Sequence, residues 1–150
     1  CIVHEAFSET ELLKLMAQHP GAPVAAHPEC PPHILDHADH VGSTSAILKF
    51  AIENASDTII VATEPHIIHQ MEKAVPTKRF IGAPGADGNC NCNICPYMAL
   101  NTMEKLHAAL RDLRPQIDVP ADVAAGARRS LDRMLEMAGR TVGQGDLGKA

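Results

Sequence analysis

Apolar and polar positions fall into blocks along this chain, and the blocks switch period from helical to extended and back. Ile2-Val3 reads as the end of a buried strand. Ser8-Glu9-Thr10-Glu11 has the spacing of a capping box, in which the Ser8 hydroxyl covers an orphan N–H and Glu11 reaches back. Leu12, Leu13, Leu15 and Met16 then form a helical stripe, which His19-Pro20-Gly21 ends. Residues 22–26, small, apolar and centred on Val24, predict a buried strand, and the prolines of 27–32 predict a loop. A short helix is expected over 33–37, and 39–42 leads into Ser43-Thr44-Ser45. Residues 46–52 predict a helix with Ser43 or Thr44 as N-cap. The clearest strand is Thr58-Ile59-Ile60-Val61-Ala62, continuous and β-branched as in a sheet buried on both faces. Pro65 suits the start of a helix carrying Ile67, Ile68, Met71 and Ala74. A short strand over 78–81, a Gly- and Asn-rich loop over 82–93 and a long helix over 97–113 follow. Pro115 and Pro120 bracket an extended piece before an amphipathic helix over 121–138 and a frayed tail over 139–150.

Strands alternating with helices predict an α/β fold, a three-layer αβα arrangement on a short parallel sheet. The polar groups His4-Glu5, His27-Glu29, Ser43-Thr44, Thr63-Glu64 and Cys90 to Cys95 all follow the C-terminal ends of predicted strands or their extensions. That edge is where open α/β sheets bind ligands.

Composition narrows the function classes. The 150 residues are 45% apolar, enough for one ordinary core, but only 3% aromatic with no Trp, so packing rests on Ala, Ile, Leu, Val and Met. A net charge of −5 without a basic stripe argues against nucleic acid as partner, and Arg128, Arg129 and Arg133 read as a solvated helix face. No apolar run approaches the ~20 residues that span a bilayer, so no membrane is expected as partner. There is no secretory signal, and the five cysteines lack a disulfide framework, so cytoplasm is the expected compartment. The first residue is Cys, directly at an apparent strand end, and a missing upstream part is expected.

Cys90, Cys92 and Cys95 bring thiols together as Cys-x-Cys-x-x-Cys-Pro, a density suited to a soft metal or an iron–sulfur cluster. A zinc module needs a fourth ligand from Cys1, Cys30 or a His. A redox pair of Cys92 and Cys95 would lack the usual strand-to-helix setting. Cys1 is either a ligand or a small buried hydrophobe, and Cys30 in its Pro-rich loop reads as structural. His4 and His27, with Glu5 and Glu29 nearby, can exchange protons or hold carboxylates. Ser43 and Thr44 can cap a helix or bind an anion there, and Glu64 is either an acid/base or a first-turn charge.

Taken together, Cys1-Ile2-Val3-His4-Glu5, His27-Pro28-Glu29-Cys30, Val41-Gly42-Ser43-Thr44-Ser45, Ile60-Val61-Ala62-Thr63-Glu64 and Cys95-Pro96-Tyr97-Met98-Ala99-Leu100-Asn101-Thr102 resemble the quinolinate synthases of NAD biosynthesis. The motifs follow that family's order and spacing to about residue 138. The resemblance implies a fold of three similar αβα domains around a central site. Residues 1–40 would end the middle domain, 41–138 would form the last one with its C-terminal helices, and 139–150 would be a flexible tail. It implies a transferase that condenses iminoaspartate with dihydroxyacetone phosphate and dehydrates the product to quinolinate. The aspartate-oxidising enzyme of the same pathway would be a functional partner. The implied cofactor is a 4Fe–4S cluster held by three cysteines, with one open iron acting as a Lewis acid. Cys1 would be its middle ligand and Cys95 its last, the first coming from the missing upstream half. His4, His27 and Glu29 match the family's catalytic residues, and His27, Glu29, Ser43 and Thr44 its substrate-binding ones. One departure stands out: the family motif spaces its cysteines Cys-x-x-Cys-x-x-Cys, so Cys90 and Cys92 have no carried-over role. With two of three cluster ligands, the chain alone is expected to be inactive.

Overall fold

The β-branched run Thr58–Ala62 lies inside a four-stranded parallel sheet in the computed structural model, which describes residues 1–86 and 94–138. The elements run α1 (Ile2–Glu5), α2 (Glu9–Gln18), β1 (Val24–Ala26), α3 (Pro32–Leu35), β2 (His40–Val41), α4 (Thr44–Glu53), β3 (Thr58–Ala62), α5 (Ile67–Ala74) and β4 (Arg79–Gly82). A single 3₁₀ turn (Met98–Leu100), α6 (Met103–Asp112) and α7 (Ala121–Met137) follow. Strand order is β2-β1-β3-β4, with Ala26 opposite Ala62 and Ile60 opposite Ile81.

Successive side chains of a strand point to opposite faces, and the core divides accordingly. Val24, Ala26, Ile60 and Ala62 pack with Phe7, Leu12 and Ile34 beneath α2 and α3. Ala25, Ile59 and Val61 pack with Ile47, Ala51 and Met71 beneath α4 and α5. This is the expected αβα layering. The small Ala25 and Ala26, both fully buried, let helices close on either side of β1.

The Ser8 cap forms as predicted, its hydroxyl accepting the Glu11 N–H at 3.4 Å, but the Glu11 carboxylate turns to Lys14 at 2.7 Å instead of reaching back. Ser8→Ala should therefore cost about 1 kcal/mol, read as a lower urea midpoint at unchanged slope.

Three local expectations are corrected. Residues Ile2–Glu5 form a helical turn, not a strand end, because Val3 and His4 are turned inward while Ile2 stays exposed. Burial by packing overrides β-propensity in so short an apolar pair. His40–Val41, expected only as a lead-in, pairs with β1 as an edge strand. The helix expected over 97–113 is broken, since Asn101 is extended (φ −88°, ψ 102°) between the 3₁₀ turn and α6. Asn and Thr side chains compete with the helix backbone for hydrogen bonds, which favours a break at Asn101-Thr102.

The chain divides into a unit of Cys1–Thr102 and a second from Met103 onward. The first takes strands from both sides of residue 40. The second carries the apolar stripes of α6 and α7, on which Leu106, Leu110, Leu131 and Met134 are exposed. No helix among the described residues is long and apolar enough to cross a membrane.

Candidate functional site

The segment leaving β1 runs to α3, on the face that holds Ile34, whereas the segment leaving β3 runs to α5, on the face that holds Met71. Adjacent parallel strands whose outgoing segments part to opposite faces leave a crevice at their C-terminal ends, the usual ligand position of such sheets. The backbone N–H of His27 donates to Ala62 O at 3.1 Å, fixing the two strand ends side by side.

His4 reaches this crevice from α1. It is 6% exposed, and its ring stacks on His27 with centroids 4.5 Å apart and planes 12° apart. Nδ1 lies 3.3 Å from Glu29 Oε2 and Nε2 lies 3.0 Å from Thr63 Oγ1. Burial, then the neighbouring His27 ring, push its pKa below the ordinary 6.5, and Glu29 offsets this only in part. His4 is therefore neutral at pH 7. Partial desolvation raises the Glu29 carboxyl, and the hydrogen bond from His4 works against it by favouring the charged form. Glu29 is thus an ionised acceptor with half its side chain open to solvent. Its own N–H donates to His27 Nδ1 at 3.3 Å, so Nδ1 is the accepting nitrogen and a ring proton sits on Nε2.

The exposed Cys1 completes this group: ligand atoms of Cys1, His4 and Glu29 all lie within 4.8 Å of one another, close enough to share a cation. At the end of β3, Glu64 accepts the Cys95 N–H at 3.5 Å and the His66 N–H at 2.9 Å, and pairs with His66 Nδ1 at 2.7 Å. Hydrogen bonds thus join Glu29, His4 and Thr63, while Glu64, next in sequence to Thr63, accepts the Cys95 N–H at the same strand end. Ser43 and Thr44 stand at the neighbouring strand end, where Gly42 N–H donates to Ala26 O at 3.1 Å. Ser43 caps α4 by accepting the Ala46 N–H at 3.3 Å, and both hydroxyl residues are exposed. Cys90 and Cys92 lie outside the described residues.

Cys30 is set apart from the other described thiols. It is 4% exposed, belongs to the core, donates to Ala62 O at 3.3 Å, and burial pushes its pKa up to about 11. At pH 8 only about one molecule in a thousand carries the thiolate there. Iodoacetamide at pH 8 should leave Cys30 unmodified in the native protein while labelling Cys1; equal labelling by peptide mass mapping would refute the burial.

Thr63 is the residue that sequence reasoning left without a role. It is 2% exposed and bonds His4 across 59 positions of chain. Its place directly after the β-branched strand was the available signal, since it marks the C-terminal edge.

The family model described as Quinolinate synthetase A protein matches residues 1–136. The chain belongs to this family. The quinolinate synthase of Thermosynechococcus vestitus is 52% identical over 137 residues, which cover 91% of this chain and 43% of that protein. Those of Gloeothece citriformis and Cyanophora paradoxa are 52% and 47% identical over the same length, covering 42% and 41% of theirs. The chain thus spans less than half the length of the curated relatives it matches. Within this quinolinate synthetase A segment, Cys1, His4, His27 and Glu29 converge, the Cys95 N–H reaches Glu64 at the end of β3, and Ser43 and Thr44 occupy the adjoining strand end.

Proposed function

We propose that this chain is the part of a quinolinate synthase that carries two cluster ligands and the proton-handling groups, and that the whole enzyme condenses iminoaspartate with dihydroxyacetone phosphate in the cytoplasm. The observation that carries the proposal is the convergence of Cys1, His4, His27 and Glu29 at the crevice between β1 and β3, with Cys95 tied to the same edge.

The donor set fits a 4Fe–4S cluster. Of the described thiols, Cys1 is exposed and Cys95 half-buried at the ligand edge, whereas buried, protonated Cys30 is unsuited to bind metal. Cys1 and Cys95 would hold the group, with a third thiolate from outside this chain. When bound, a cluster with one open iron supplies Lewis acidity toward a substrate hydroxyl or carboxylate.

The chain's own residues supply the rest. Glu29, ionised and half-exposed, takes a proton from the condensing substrate. His27, with its proton on Nε2, donates to a substrate carboxylate or to the departing hydroxyl. Ser43 keeps its hydroxyl proton free while its oxygen caps α4, and the free first-turn N–H groups add donors for a carboxylate or phosphate. His4, buried behind Glu29, holds the carboxylate in place through Nδ1. The test is quinolinate formation by the anaerobically reconstituted full-length protein; the 150-residue chain alone should form none, and turnover by it would refute the division of ligands.

A further inference from the structure

Met103, Leu106 and Leu110 recur along α6 at spacings of three and four, and Val123, Leu131 and Met134 share one face of α7. All six are at least half exposed, from 52% at Leu106 to 75% at Met103. Neither helix holds a buried residue or enters either core cluster. A helix of ten residues such as α6 is marginal in water by itself, and owes its stability to an apolar face that packs. Single exposed apolar side chains need no explanation, but whole helical faces of them mark a docking surface.

What docks there is narrowed by sequence. Residues 87–93 and 139–150, outside the described part, offer only Val142 and Leu147 as large aliphatic side chains, too few to cover two helices. The polar faces carry acidic and basic residues in equal number, two of each on α6 and three of each on α7. A membrane-surface helix is instead rich in Lys and Arg. α6 and all but the last residue of α7 lie within residues 1–136, so these faces belong to the segment matched by the family model. That segment covers 43% of the Thermosynechococcus vestitus protein, and more than half of such a protein is available to cover them. We propose that α6 and α7 are the docking surface for the remainder of the longer polypeptide, expected upstream of Cys1, with Leu106, Leu110, Leu131 and Met134 as its apolar anchors. On the synthase reading the same remainder carries the third thiolate, so docking is a condition for assembling the cluster; that consequence rests on the reading, and the docking itself does not.

The test uses iron-free full-length protein and needs no activity. Photoreactive benzoylphenylalanine in place of Leu131 should, on irradiation, join a peptide from upstream of Cys1 within a species of monomer mass. Met103 and Met134 of the wild type should be oxidised by dilute peroxide roughly 10-fold more slowly in the native protein than in urea, at every protein concentration. The methionine readout needs no variant to fold. Four results overturn the proposal: a position-131 cross-link confined to this chain's own 150 residues, a cross-linked species of twice the monomer mass, methionine protection that appears only with anionic vesicles, and methionine oxidation as fast in the native protein as in urea. If the docked protein then takes up no cluster on reconstitution, the synthase reading fails while the cross-link and the oxidation rates still decide the docking.

Discussion

Glu29→Gln in the full-length enzyme should lower kcat by about 10²- to 10⁴-fold while leaving KM nearly unchanged, the usual range for losing a positioned general base. Gln has the same shape, and its amide oxygen can still accept from His4 Nδ1, so the crevice and the His4–His27 stack persist. What is lost is the negative charge and the ability to take a proton. Glu29 suits that task because the buried His4 behind it is neutral and because half its own side chain is open to solvent. Steady-state kinetics decide the point. A variant with wild-type kcat would remove Glu29 from proton transfer, and a loss expressed only in KM would make it a binding group.

Gly42→Ala should raise KM for the anionic substrate by about 10- to 100-fold, the loss expected for one or two hydrogen bonds to a charged group. A Cβ at Gly42 would lie 2.7 Å from the Ala46 Cβ, closer than such carbons approach, and 3.0 Å from His40 Nε2. The His40 ring has little room to yield, since it stacks on Phe50 with centroids 4.6 Å apart and planes 7° apart. The Gly42 N–H is also held by Ala26 O. The added methyl must therefore displace the first turn of α4, and with it Ser43 and Thr44. The explanation carries its own control: Gly42→Ala combined with Ala46→Gly removes the 2.7 Å contact and should recover much of the lost affinity. If the double variant binds no better than the single one, crowding against Ala46 is not the cause.

How much of this was legible in the sequence depends on the length of the signal. The five-residue β-branched run was read with its true limits, because nothing but a buried strand accommodates it. The Ser8 cap and α2 were likewise carried by a local chemical pattern. Two-residue signals mislead in both directions: Ile2-Val3 reads as a strand end yet forms a helical turn, and His40–Val41 carries no strand signal yet pairs with β1. No periodicity exists over two positions, so the outcome is decided by what lies across the core. The candidate site shows the same division. The residue types and their place at strand ends were readable, but the pairing of His4 with Glu29 and Thr63, 25 and 59 positions away, is made only by the sheet. By sequence Cys1 is open between ligand and small buried hydrophobe, and Cys30 reads as structural only from its Pro-rich setting. Burial separates them, and burial is a property of the folded core.

The central claim, that Cys1 and Cys95 are the cluster ligands of this segment, is tested most directly by one measurement. Iron and labile sulfide should be determined after anaerobic reconstitution of the full-length protein and of its Cys1→Ser, Cys30→Ser, Cys92→Ser and Cys95→Ser variants, with quinolinate formation followed in parallel. Cys1→Ser and Cys95→Ser should lose both cluster and activity, and Cys30→Ser and Cys92→Ser should keep them. Loss of cluster in Cys92→Ser equal to that in Cys95→Ser, or a wild type that takes up zinc and no iron, would contradict the account.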